Sequence, residues 1–115
     1  MTIKIYHNPR CTKSRETLQL LERRGIKPQV VLYLEKPPSK NEIVGLLKLL
    51  KLEVRDIIRK NEDEYKANHL HNQKLSDEKL IEFIVKNPKL LERPIVVNGT
   101  KAAIGRPPEN VLKIL

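Results

Sequence analysis

The chain has 115 residues, one cysteine and a formal net charge of +9. That length predicts one domain, spanning 1–115, able to bury a core without disulfide staples. No apolar run approaches the roughly 20 residues needed to span a bilayer, so no membrane association is expected. One cysteine excludes an intrachain disulfide framework. Met1-Thr2-Ile3 runs at once into a strand pattern, so no signal peptide is expected, and a cytoplasmic location would keep the thiol reduced. The positive charge is spread along the chain, and one Phe, three Tyr and no Trp leave little for base stacking. Nucleic-acid binding is therefore not expected, whereas a small oxyanion or an anionic thiol would be attracted.

The alternation in Ile3-Lys4-Ile5-Tyr6 predicts a strand. A helix is predicted over 12–24, carrying Leu18, Leu20 and Leu21, with Gly25 as its stop. The β-branched run 29–33 predicts a second strand. Strand, helix and strand within about 30 residues imply a right-handed βαβ unit with parallel strands. Pro37-Pro38 then breaks the chain, and Ser39 with Glu42 forms a capping-box signature for a helix to about Lys51. A short helix is predicted over 54–59, a polar stretch over 61–72, and a helix from Ser76 to about Val85, ended by Asn87-Pro88. Pro94 to Val97 predicts a third strand, Asn98-Gly99 a two-residue hairpin, and 101–104 an antiparallel return. A last helix is predicted to start within Gly105-Arg106-Pro107-Pro108-Glu109. The predicted fold is α/β: a thioredoxin-like β-α-β / β-β-α core with a helical insertion, about 39–87, between strands two and three.

Cys11 falls where the first strand passes into the first helix. A helix N-terminus presents unpaired N–H groups and the positive end of the helix dipole, and both favour thiolate over thiol. Arg10, Lys13 and Arg15 add positive charge nearby. Cys11-Thr12-Lys13-Ser14 occupies the place of a C-x-x-C redox motif, with serine replacing the second cysteine. Any sulfur intermediate on Cys11 would then be resolved by a thiol from another molecule. A buried, inert cysteine is the plainer alternative, but the polar and cationic neighbours argue against it.

Arg93-Pro94 stands immediately before the third strand, where this architecture places a loop facing the cysteine; cis and trans proline are equally compatible with the sequence. Arg59, Arg93 and Arg106 lie at turn or helix-end positions, and an arginine fork suits an oxyanion. His7 is placed to support the thiolate or to orient the loop. His69 and His71 lack the further Cys or His ligands that a metal site would need, so no metal is expected.

Taken together, the segment Tyr6 to Arg15, Leu32-Tyr33-Leu34-Glu35 before Pro37-Pro38, Arg59-Lys60-Asn61-Glu62, Arg93 to Val97 and Gly105-Arg106-Pro107-Pro108 resemble the glutaredoxin-linked arsenate reductases, the ArsC family. The resemblance covers essentially the whole chain and is nearest the compact, bacterial YfgD-like branch. It implies that Cys11 attacks arsenate, that Arg59, Arg93 and Arg106 hold the oxyanion, and that His7, Ser14 and Arg15 support the thiolate. Pro94 matches the family's cis proline, grouped with the co-substrate-binding residues. The resemblance implies no permanently bound cofactor, with glutathione as thiol co-substrate and glutaredoxin as partner. Arg10 and Thr12-Lys13 depart from the small and glycine-containing loop of the longer plasmid-borne members. Two other readings stand beside this one. One is a glutathione-dependent thiol oxidoreductase with another substrate. The other is an Spx-like regulatory protein that binds RNA polymerase, against which Ser14 argues because it removes an intramolecular disulfide switch. Convergent arginines would favour the anion enzyme.

Overall fold

A computed structural model describes residues 2–115. Its contacts divide the chain into two compact units, one holding the chain up to Lys36 together with Arg93–Leu115, the other Pro37–Glu92.

The first unit is built on a four-stranded sheet in the order β2-β1-β3-β4. β1 (Ile3–Tyr6) runs parallel to β2 (Gln29–Val31) and antiparallel to β3 (Ile95–Asn98), which pairs antiparallel with β4 (Lys101–Ile104). The inner strands carry the most apolar residues: Ile5, Ile95 and Val96 are fully buried. Between β1 and β2 lies α1 (Thr12–Arg23). Gly25 ends it with φ +77, and the N–H groups of Gly25 and Ile26 bond back to Glu22 and Leu21 carbonyls. That pattern satisfies two of the orphan carbonyls at the helix end. Leu21 meets Ile5, Val96, Val111 and Ile114 in the core, with Leu18 and Leu20 partly buried at its edge.

In this unit the second strand, the hairpin loop and the last helix depart from their predicted form. The second strand stops at Val31 rather than at 33, because the Leu32 carbonyl accepts from Glu35 and Lys36 N–H groups and starts a turn. The hairpin loop is Gly99-Thr100, one residue later than the Asn98-Gly99 signal. Gly99 alone takes positive φ (62°), which fits a loop with its left-handed residue first, while Asn98 stays in the strand and donates Nδ2–H to the Ile114 carbonyl at 2.6 Å. The last helix is a 3₁₀ segment, Pro108–Ile114, that buries Val111 and Ile114.

The second unit is helical. α2 (Lys40–Leu50) opens with the expected capping box: Glu42 N–H donates to Ser39 Oγ at 3.1 Å and Ser39 N–H to Glu42 Oε1 at 3.4 Å. The predicted helix over 54–59 is a shorter 3₁₀ turn, Val54–Ile57, after which Ile58 bridges Leu91. The stretch over 61–72 holds a one-turn helix, α3 (Asp63–Ala67), with no buried residue. Without an apolar stripe, periodicity gives it no sequence signal. α4 (Asp77–Lys86) is capped by Ser76 and buries Leu80, Ile81 and Ile84. No helix among the described residues is long and apolar enough to cross a membrane.

Candidate active site

Cys11 is the N-cap of α1, with extended backbone (φ −95, ψ 123). Its N–H donates to the Asn8 carbonyl at 3.0 Å, and its carbonyl accepts from Arg15 N–H at 3.0 Å. The loop is therefore pinned at both ends, and the thiol sits at the head of α1 beside the Ser14 backbone N–H. Partial burial pushes the Cys11 pKa up, but the Ser14 backbone N–H, a hydrogen bond and charge from Arg93, and the charge of Arg106 outweigh it, so the thiol is more acidic than an ordinary cysteine. Arg106 Nη2 donates to Cys11 Sγ at 3.4 Å. The structure thus brings Arg93 and Arg106 together at the sulfur.

The orienting groups lie beneath the loop. Asn8 N–H donates to Ser14 Oγ at 3.0 Å, and His7 Nδ1 lies 2.6 Å from the same oxygen. All three residues are buried, His7 at 5% exposure and Ser14 at 0%. Burial, and next the charge of Arg15, hold the His7 pKa below the usual imidazole value. That shift favours the neutral imidazole, which hydrogen-bonds the serine hydroxyl. Ser14 meets the sulfur through its backbone, while its hydroxyl anchors His7 and Asn8. Arg15 is exposed, donating to the Pro9 carbonyl at 3.0 Å and to Thr12 Oγ1 at 3.3 Å. It straps the loop, and the side-chain charges that act on Cys11 come from Arg93 and Arg106.

The Arg93–Pro94 peptide is cis, and so is Arg106–Pro107. Arg59 belongs to the helical unit. There its Nη1 donates to Glu92 at 2.8 Å and its Nε to Glu62 at 3.3 Å. Burial of Arg59 is outweighed by these two carboxylates, which raise its pKa. Among the described residues, no group of three or more His, Cys, Asp or Glu is arranged to hold a metal ion.

Thr17 and Asn110, which sequence reasoning passed over, also belong to this region, as does Gly105, read from the sequence only as part of a motif. Thr17 is fully buried on α1 and donates to the Lys13 carbonyl at 2.8 Å and the Gly105 carbonyl at 3.4 Å. Asn110 Nδ2 donates to the Arg106 carbonyl at 2.9 Å. Thr17 left a faint signal, because it shares a helix face with Ser14 and Leu21, where a polar residue needs a buried partner.

A four-stranded mixed sheet with a lone cysteine at the head of the first helix, and a cis proline just before β3, defines the class as a thioredoxin-like α/β protein with one thiol. The ArsC family model matches residues 6–114. The chain is 51% identical over 116 residues to an arsenate reductase of Haemophilus influenzae, with all of both chains covered. It is 55% identical over 114 residues to the uncharacterized protein YfgD of Escherichia coli K12, covering 98% of this chain and 96% of that one. Among solved structures, the arsenate reductase from Vibrio cholerae superposes with a TM-score of 0.98 at 52% identity, over 100% of this chain and 98% of that one. This chain belongs to the ArsC family.

Proposed function

We propose that this chain reduces arsenate to arsenite in the cytoplasm, with glutathione as the thiol co-substrate and glutaredoxin as the partner that completes each turnover. The observation that carries the reading is the Arg106 guanidinium 3.4 Å from the sulfur of a helix-capping cysteine. Arsenate is an anion and so is the nucleophile, and two anions repel at close range unless cations lie between them. Arg93 and Arg106 act on the sulfur, and they offset charge on the attacking and the receiving side at once. Two of the three relatives named above, those of Haemophilus influenzae and Vibrio cholerae, carry the name arsenate reductase.

The Cys11 thiolate attacks arsenic, forming an S–As bond, and one oxygen leaves as water after protonation. The glutathione thiol displaces a second oxygen as water, so arsenic(V) then carries both sulfurs. The glutaredoxin thiolate attacks the glutathione sulfur. The electron pair of that S–As bond stays on arsenic, which becomes arsenic(III), and a mixed disulfide departs. Water cleaves the remaining S–As bond, releasing arsenite and the Cys11 thiol. Two thiols are oxidised to one disulfide as arsenic gains two electrons. Ser14 offers no second thiol, so the resolving sulfur comes from outside the chain. His7 and the Asn8 N–H, both hydrogen-bonded to Ser14 Oγ, hold the loop that carries Cys11.

The test is arsenate-dependent NADPH oxidation with glutathione, glutaredoxin and glutathione reductase. Wild type is expected to turn over, and Cys11→Ser to show none while keeping its circular dichroism. A folded wild type with an alkylatable Cys11 and no turnover would sink the reading and point to another thiol substrate.

A further inference from the structure

We propose that Thr17, Gly105 and Asn110 are positioning residues that set the Arg106 guanidinium against the Cys11 sulfur. The assignment rests on the reading of Cys11 as the anion-attacking nucleophile.

Arg106 lies just beyond β4, yet its side chain reaches a sulfur 95 positions earlier in the chain. A long arginine side chain has ample rotamer freedom, so something must hold it there. Its Nε donates to the Arg93 carbonyl at 2.7 Å, which fixes the plane of the fork and leaves Nη2 directed at Cys11. Its backbone is held separately. Arg106 N–H donates to the Ile104 carbonyl at 2.9 Å, Gly105 N–H to the Pro94 carbonyl at 2.9 Å, and Asn110 Nδ2–H to the Arg106 carbonyl at 2.9 Å.

Gly105 supplies the closeness this needs. A Cβ there would collide with Thr17 Oγ1, lie 2.8 Å from Pro94 Cγ and 3.0 Å from Thr17 Cγ2. The backbone of Gly105 is not left-handed, so the glycine is required for space rather than for φ. Neither obstacle is the free end of a flexible side chain. Thr17 is β-branched and anchored to two carbonyls, and Pro94 is a ring. A larger residue at 105 must therefore push the Arg106 segment outward. The contact it carries is an ordinary N–H···S hydrogen bond of 3.4 Å, and moving the donor outward lengthens and misaligns it.

The experiment follows the iodoacetamide alkylation rate of Cys11 against pH. It compares wild type with Arg106→Ala, Asn110→Ala, Gly105→Ala, Thr17→Ala/Gly105→Ala and Asn110→Ala/Arg106→Ala. Asn110→Ala and Gly105→Ala are expected to slow alkylation at pH 7 about threefold or more by lowering the thiolate fraction. Thr17→Ala/Gly105→Ala is expected to recover part of that loss, because it removes two of the three obstructing atoms. In the Arg106→Ala background, Asn110→Ala should do nothing further, since its target is gone; a merely structural role would slow both backgrounds alike. Wild-type rates in folded Asn110→Ala and Gly105→Ala, or in Arg106→Ala, would overturn the assignment. Should Gly105→Ala not fold, Asn110→Ala decides alone, because it removes one hydrogen bond at a half-buried position. Arsenate is absent from this assay, so a chain that alkylates as expected but reduces no arsenate sinks the proposed activity and leaves the positioning intact.

Discussion

A thiol attacks well only after losing its proton, and at Cys11 the groups that remove it are two arginines and one backbone N–H. This has a consequence for pH. The alkylation midpoint of Cys11 should fall below the ordinary thiol value of about 8.5. Stability should follow the same titration. Between the lowered folded pKa and the ordinary value, the unfolded chain binds more protons, so stability rises with pH across that window and is lost as pH falls through the folded pKa. Urea midpoints measured against pH should show this rise in wild type and a flatter curve in Cys11→Ser. The arginines differ in what they should cost. Arg93→Ala should lower kcat/KM for arsenate roughly tenfold or more, the value of one lost charge-assisted contact. Arg59 is held by Glu62 and Glu92 within the helical unit. Steady-state kinetics of Arg59→Ala would measure how far it shares the oxyanion role that the family resemblance implies.

Among the elements, those announced by local chemistry formed where that chemistry stood. Ser39 with Glu42 opened α2, Ser76 opened α4, and Gly25 closed α1. Such caps act within four residues, so the sequence displays them directly. Ser39→Ala should cost about 1 kcal/mol, read as a lower Tm by differential scanning calorimetry with the Cys11 alkylation rate unchanged. Of the elements that the sequence misplaced, β2 was cut short by a local turn, while the hairpin and the last helix answer to partners farther along the chain. β2 ends at Val31 because Leu32 enters a turn, and the hairpin shifts by one residue because the Asn98 side chain serves Ile114. The 3₁₀ form of Pro108–Ile114 goes with burial of Val111 and Ile114 in the sheet unit's core, a tertiary demand that helix propensity does not encode.

For the whole molecule, the net charge of +9 acts as a field rather than as contacts. It should draw arsenate and glutathione toward the chain, and salt should screen that attraction over a Debye length of about 8–10 Å at physiological strength. The kcat/KM for arsenate should therefore fall as sodium chloride is raised, with kcat less affected. Independence from salt would place the attraction wholly in close, desolvated contacts around Cys11.

The strand-helix-strand order, the cysteine at the head of α1, the lack of a second cysteine and the candidate arginines are legible in the amino acids alone. Each is written in adjacent residues, in periodicity or in composition, where the governing interactions are local. Only the tertiary structure decided that Arg93 and Arg106 meet at one sulfur, that the Ser14 hydroxyl serves His7 and Asn8 rather than the thiol, and that Gly105 is needed for space. The first and the last depend on atoms brought together across 95 and 88 positions of chain, and the Ser14 contacts on a loop folded back over six and seven. Closing such distances is the work of the buried sheet and core, whose register no local signal records.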